Sequence, residues 1–347
     1  MKKRVTIKDV AKEAGVSIAM VSLVVNSKLD GQGNPVCSVR KETARKIFDA
    51  VKKTGYIPNR AASAIRSGRS YTIAVITSDI SSNFFSELCR HIENIAYDQG
   101  YNVLFASSDE NPVKFNQILN SMLKLNVDGM IILPPPHGEN AIENLSYMDI
   151  PVVLLERDLP GLENFGRVQL DNAAADRMAV EELYHSGYRN IELIVHDMDI
   201  STIRSRVAGY REMMTGLGLK DRIKIHYINR MEDLDSMTAL LKNIMEHGCE
   251  AVYLASNSIS ILTLQAINRL QIKVPEELAV VGFDNSAVYN MATPYTTHVQ
   301  EPVRELGEES FNMLMDMIED RTSAKTVRLL PSLVRGGSSA PKGASGQ

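Results

Sequence analysis

The feature that most constrains this chain is an alternation of short apolar runs with helix-length amphipathic segments, and it occurs twice. After Ser70 the runs "TIAVIT", "YNVLFA", "DGMIIL" and "PVVLL" each hold five or six residues rich in Val, Ile and Leu. They read as strands buried on both faces, the pattern of a parallel sheet covered by helices. Helical stretches lie between them, Phe85–Gln99 and Pro112–Lys124 among them. The alternation then restarts with "NIELIV", "IKIHYI", "AVYLA" and "LAVVGF", interleaved with helices near Asn172–Ser186, Thr202–Gly216 and Ser258–Leu270. Two successive βα series predict an α/β protein with two doubly wound lobes of parallel sheet. Such sheets bind ligands at the carboxyl ends of their strands, so a cleft between the lobes is the expected site.

The first 70 residues follow a different logic. In "VTIKDVAKEAGVSIAMVSLVVN", Thr6 with Asp9 three residues on resembles a capping box, and Val10 and Ala11 fall at helical spacing. Gly15 stops the helix in a tight turn and Ser17 caps a second one. On that second helix Val21, Val24 and Val25 gather on one face, while Ile18, Ser22 and Asn26 line the other with Ala19 and Leu23. The outer face is small and uncharged, suited to a DNA major groove where apolar side chains meet thymine methyls and flanking cations hold phosphates.

Charge supports that reading. Residues 1–70 carry 15 Lys and Arg against 5 Asp and Glu, a net of +10, and the remainder carries 23 against 37, a net of −14. A basic head on an acidic body is the footprint of a polyanion-binding module joined to a domain that must stay off the polyanion. The three cysteines, Cys37, Cys89 and Cys249, are odd in number and lack metal or disulfide spacing, and the seven histidines read as surface or packing residues. No secretory leader and no apolar run long enough to span a bilayer is visible, so a soluble, cytoplasmic protein without membrane contact is expected. With no G-x-G-x-x-G after a strand, no Walker A, no H-E-x-x-H and no G-x-S-x-G, neither an enzyme nor a cofactor or metal site is expected. The rival of another class is a solute-binding transport receptor, which would need a leader and no basic helical head.

Here the chain resembles the lactose-repressor (LacI/GalR) family of bacterial transcription regulators. The resemblance rests on "VTIKDVAKEAGVS", "VSLVVN", "RKETARKIFDAVKKTGYIPNRAASAIRSGRS", "VVGFDNSA" and "PYTTHVQEPVRELGEES", which follow one another in the family's order over nearly the whole length. It implies a helix-turn-helix domain over residues 1–58 and a hinge helix or linker over 59–70. It implies further a two-lobed, periplasmic-binding-protein-like core over 71–335 that binds effector and dimerises, and a flexible tail over 336–347. The segments around "TTHVQ" and "SLVRGG" are expected to cross back between the lobes. The tail lacks apolar heptads, so a tetramer through a C-terminal coiled coil is not expected. The implied protein is a homodimeric repressor that binds an inverted-repeat operator in double-stranded DNA and switches with a small molecule.

Carried over position by position, the DNA-contacting residues are Thr6, Ser17, Ile18, Ala19, Met20, Ser22, Leu23, Asn26, Arg40, Tyr56, Asn59, Ala62 and Ile65. Ile18 and Ala19 hold the positions that choose the operator in the family, and Leu23 stands where Arg or His is common. Arg40 replaces the usual Ser or Thr cap of the third helix, and the loop over residues 27–38 is longer than usual and of open role. Ile65 occupies the position of the minor-groove wedge. For the effector, the resemblance points to Arg206 as an anchoring cation and to Glu156 and Asp284 as acceptors. Phe84 and Phe85 would form a stacking surface, with Ser256 and Gln300 as further polar contacts. Ser256-Asn257 stands where sugar-responsive members carry Asn-Asp, and Trp is absent. A sugar or sugar derivative is still the first expectation, and these departures leave a nucleobase, a phosphorylated metabolite or a protein partner open.

Overall fold

A computed structural model describes residues 5–27, 30, 35–57, 68–159, 164–229, 233–320 and 325–343. The chain forms two compact units, Met1–Ser70 and Tyr71–Gln347. The hinge positions Asn59, Ala62 and Ile65 lie outside the described residues.

In the first unit, helix α1 spans Ile7–Ala14. The Thr6 backbone N–H and its hydroxyl both donate to Asp9 Oδ2, at 2.8 and 2.7 Å, so the start of α1 is capped as the Thr-x-x-Asp spacing anticipates. Gly15, at φ +66°, closes the helix in the left-handed region that favours glycine. Ser17 Oγ then accepts from the Met20 N–H at 3.2 Å and opens α2, Ile18–Val25. The third helix, α3 (Lys41–Thr54), begins at Arg40 with no side-chain cap. Val10, Ala11, Val21, Val24, Ala44, Ile47 and Ala50 form one small core, with Val25 and Tyr56 packed against it.

The second unit holds two six-stranded sheets. The first contains β1 (Thr72–Thr77), β2 (Asn102–Ser107), β3 (Gly129–Ile132), β4 (Val152–Leu155) and β5 (Gly166–Leu170), with helices α4 (Asn83–Asp98), α5 (Pro112–Lys124) and α6 (Glu139–Ser146) between the strands. The second contains β6 (Ile191–His196), β7 (Lys224–Ile228), β8 (Ala251–Leu254), β9 (Ala279–Phe283) and β10 (Thr297–Gln300). Its connections run through α7 (Asn172–His185), α8 (Ser201–Gly216), α9 (Leu234–Glu246), α10 (Asn257–Leu270) and α11 (Val288–Met291). The last elements are α12 (Val303–Ile318), β11 (Thr326–Leu329) and β12 (Ser332–Val334).

Strand order is β11-β5-β4-β3-β1-β2 in one sheet and β12-β10-β9-β8-β6-β7 in the other, the same winding twice. The pairs are parallel except β10 with β12. The chain passes between lobes after β5, after β10 and between β11 and β12. Thus α12 follows β10 yet buries Leu306, Phe311, Met313 and Leu314 against Ile73, Ile131 and Val153 of the first sheet. Crossing therefore occurs just after "TTHVQ" and just before "SLV", while β10 and β12 themselves belong to the second sheet. No helix of the described residues is long and apolar enough to cross a membrane.

Candidate functional site

On α2 the exposed face carries Ile18, at 44% exposure, and Leu23, at 47%, together with Ala19 and Met20. Ser22 is half-buried, and Asn26 Nδ2 donates to its carbonyl and hydroxyl at 2.8 and 3.2 Å. Those two polar groups thus tie off the end of the helix, and what faces outward is predominantly apolar. Thr6 and Arg40 are exposed at the starts of α1 and α3, while half-buried Tyr56 packs on the core. Exposed Lys8, Lys12, Lys41, Arg45 and Lys46 make this unit's surface cationic.

In the second unit a cleft of about 890 Å³ is lined by Phe84, Phe85, Glu156, Arg206, Ser256 and Asp284. Residues from the ends of β1, β4, β6, β8 and β9 meet there, as strand polarity requires. Six of the seven effector positions expected from sequence come together. The seventh, Gln300, lies opposite Ser332 in the β10–β12 ladder and is not among the lining residues. Its neighbour Glu301, 5% exposed, occupies the cleft instead, with Oε1 3.8 Å from Arg206 Nη2.

Arg206, buried on α8, is held on several sides. Its Nε donates to Asn172 Oδ1 at 2.7 Å, its Nη1 donates to the Ala255 carbonyl at 2.6 Å, and its guanidinium lies 3.7 Å over the Phe283 ring. Phe283 is itself fixed, because the Tyr289 hydroxyl donates to its carbonyl at 2.5 Å and accepts from its N–H at 3.1 Å. Tyr289 reaches there across Gly282, where a Cβ would stand 2.8 Å from the ring.

Glu156 and Asp284 end β4 and β9 in matching ways. Both have positive φ, +63° and +78°, and each donates its N–H to the neighbouring strand, to Val168 O at 2.8 Å and Val299 O at 2.9 Å. One oxygen of each carboxyl accepts a backbone N–H, from Leu170 at 3.2 Å and from Asn285 at 2.6 Å. Burial pushes Glu156 up to about 7 against the opposing pull of Arg206, and pushes Asp284 up to about 6 against its Asn285 hydrogen bond and Arg206. Glu301 is raised well above the usual carboxylate range, first by burial and then by the charges of Asp284 and Glu156. Behind Arg206, fully buried Asp176 is likewise raised by burial.

Sequence reasoning missed several of these groups. Glu301 sits one position past the expected Gln300, and Asp176 lies inside a helix with no local signal. The sequence suggests a surface or packing role for His196, but it lines the cleft, where its Nε2 is 2.8 Å from Ser258 Oγ. It ends β6, so the strand-end rule could have found it. Ser256 caps α10 by accepting from Ile259 N–H at 3.3 Å, and Phe84 is largely buried in the lobe core and packed edge-on against Phe85 with ring centroids 4.9 Å apart.

Residues 6–59 match the family of bacterial regulatory proteins of the lacI type, and residues 180–339 match the periplasmic binding protein-like domain. Catabolite control protein A of Priestia megaterium is 31% identical over 330 residues, covering 94% of this chain and 96% of that protein. The HTH-type transcriptional regulator KdgR of Bacillus subtilis is 25% identical, covering 95% and 97%. Among solved structures, the lac repressor dimer bound to operator and the anti-inducer ONPF superposes with a TM-score of 0.82 at 23% identity, over 97% of this chain and 100% of that one, which shows the shared fold. A complex of the transcriptional regulator CelR with cellobiose reaches a TM-score of 0.69 at 25% identity, over 96% and 100%. With a helix-turn-helix unit, a two-lobed core and full-length similarity to such regulators, this chain belongs to the lacI family and is a DNA-binding transcriptional regulator.

Proposed function

We propose that this regulator is a cytoplasmic homodimeric repressor without enzymatic activity, which reads an inverted-repeat operator and is switched by a sugar or sugar derivative bound between its lobes. The observation that carries the reading is the cleft, where carboxylates from the ends of β4 and β9 converge on one buried guanidinium. A ligand bridging those groups binds the two lobe arrangements with different affinity, which is what an effector needs in order to shift an equilibrium. In this reading the effector contacts are Phe84, Phe85, Glu156, Arg206, Ser256 and Asp284, with Glu301 in place of Gln300.

A single recognition helix contacts too few base pairs for specific affinity, so two copies on a palindrome are required. The exposed Ile18, Ala19 and Leu23 favour half-sites with thymine methyls over guanine-rich ones. The domain division keeps residues 1–58 as head, 59–70 as hinge and 71–335 as core, but the expected flexible tail begins later than residue 336: the Ser338 hydroxyl, 1% exposed, donates to the Val280 carbonyl at 2.6 Å and accepts from the Thr297 N–H at 2.8 Å, and the Tyr188 hydroxyl donates to the Ala340 carbonyl at 2.9 Å. Selection of bound sequences from random DNA tests the DNA half of the proposal. The expected product is an inverted repeat with thymines in each half-site, and a direct repeat or guanine-dominated half-sites would refute it.

A further inference from the structure

We propose that the effector is a cationic polyol, a hydroxylated ring carrying a protonated amine as in an amino sugar. The inference rests on reading the cleft as the effector site. Its first support is the charge that faces the cavity. Glu156, Asp284 and Glu301 lie in its interior, with Asp79, Asp109 and Glu110 further along the lining, against two arginines and His196. Both arginines are committed within the protein. Arg157 is gripped by both oxygens of Glu110 at 2.6 Å each and also donates to the Pro134 carbonyl at 2.9 Å. Arg206 spends Nε and Nη1 on Asn172 and Ala255, and its Nη2 is turned toward Glu301. A phosphate or carboxylate entering here meets one guanidinium edge flanked by acids and pays for desolvation without a matching cation.

The second support is hydrogen-bonding capacity. An ionised carboxylate has about four acceptor sites; Glu156 uses one oxygen, on the Leu170 N–H, while Asp284 accepts from the Asn285 N–H and shares a side-chain hydrogen bond with Glu301. Glu156 comes from the first sheet, Asp284 and Glu301 from the second, so a ligand that reaches all three carboxyls spans both lobes. An ammonium group brings three donors, and its positive charge favours the ionised form of these buried carboxyls. The third support is independent of charge. Ser78 lines the same cleft, is 1% exposed, and its buried hydroxyl has no hydrogen-bond partner. A buried hydroxyl in that state calls for a ligand donor or acceptor, which a ring hydroxyl supplies. Phe85 and Phe84 offer an apolar wall to the ring's C–H face.

The test is calorimetry on the full-length protein near neutral pH. The probes are glucosamine, galactosamine and mannosamine, with their N-acetyl derivatives, the parent hexoses and the hexose 6-phosphates. At least one free amine is expected to bind tenfold or more tighter than both its N-acetyl derivative and its parent hexose. Its binding should release protons, seen as a heat that depends on the buffer's ionisation enthalpy, because a bound cation ionises Glu156, Asp284 and Glu301. In the near-isosteric Glu301→Gln variant, checked for folding by its melt, the ratio of amine to parent-hexose affinity should shrink several-fold. A hexose or N-acetyl sugar that matches the amine, or a 6-phosphate that binds best, overturns the charge assignment and leaves the sugar-binding cleft standing. Silence from the whole panel overturns both.

Discussion

Glu156 and Asp284 adopt a backbone conformation that costs a non-glycine residue on the order of 1–3 kcal/mol, and they do so at corresponding strand ends of two separate sheets. Repetition of the same strained, buried carboxyl in both lobes ties the strain to the cleft. The same burial makes the protein sensitive to pH. Because the folded core holds protons on Glu156 and Asp284 more tightly than the unfolded chain does, their contribution to stability is complete below the ordinary carboxyl range. It is lost as pH rises through about 6 for Asp284 and about 7 for Glu156. Thermal melts without ligand should therefore show the core losing stability from pH 5 to pH 8, and Glu156→Gln should flatten that slope. An unchanged or steeper slope in the variant would contradict the assignment. At this scale the sequence was legible at several strand ends: Glu156, Asp284 and Ser256 follow apolar runs and reach the cleft, whereas His196, which also ends a strand, shows no signal of its own beyond that position. Glu301 was illegible because the end of "TTHVQE" is ambiguous by one residue, and successive positions of an extended chain point to opposite sides. Asp176 was illegible because only tertiary packing sets it behind Arg206.

Elements were legible in proportion to how cleanly one physical pattern shaped them. The strands β1, β3, β4, β8 and β9 are buried throughout or nearly so, and their unbroken apolar runs placed them within a residue or two. The helix Pro112–Lys124 was legible end to end, since Asn111 caps it and proline opens it. By contrast β5, "GRVQL", escaped notice because Arg167 and Gln169 interrupt the run, one pairing with Asp158 at 2.9 Å. The strands β11 and β12 are short and sit at sheet edges, where half the side chains face solvent. Two expectations follow for elements. Ser17→Ala removes the cap of α2 and should destabilise the head by about 1 kcal/mol, read from its melt, with no loss expected if the cap were idle. Gly209 lets α8 approach α7, and a Cβ there would stand 2.7 Å from the Ala173 carbonyl oxygen. Gly209→Val should therefore cost about 1–3 kcal/mol and weaken ligand binding by pulling Arg206 from Asn172. A variant of wild-type stability and affinity would show that this contact does not position the arginine.

For the whole molecule, division of labour follows from charge and packing. The head's net of +10 supplies phosphate attraction, and the remainder's net of −14 keeps the body off DNA. Operator affinity should accordingly fall steeply with salt, by orders of magnitude between low and physiological ionic strength for six to ten neutralised phosphates. A shallow dependence in filter-binding assays would deny the head its cationic role. The two-lobed architecture was visible in the doubled βα alternation, while the return of α12 to the first lobe was not, because nothing in an amphipathic helix tells which sheet it covers. We propose that a ligand gripped by Arg206 between the lobes controls DNA binding. The most direct test measures operator affinity with and without the sugar that binds tightest in calorimetry, for the parent and for Arg206→Ala. The parent should change its affinity at least about tenfold, roughly 1.4 kcal/mol. The variant should bind operator within a few-fold of the parent without ligand and show no response to it. A folded Arg206→Ala protein that still switches at the parent's ligand concentration would contradict the claim.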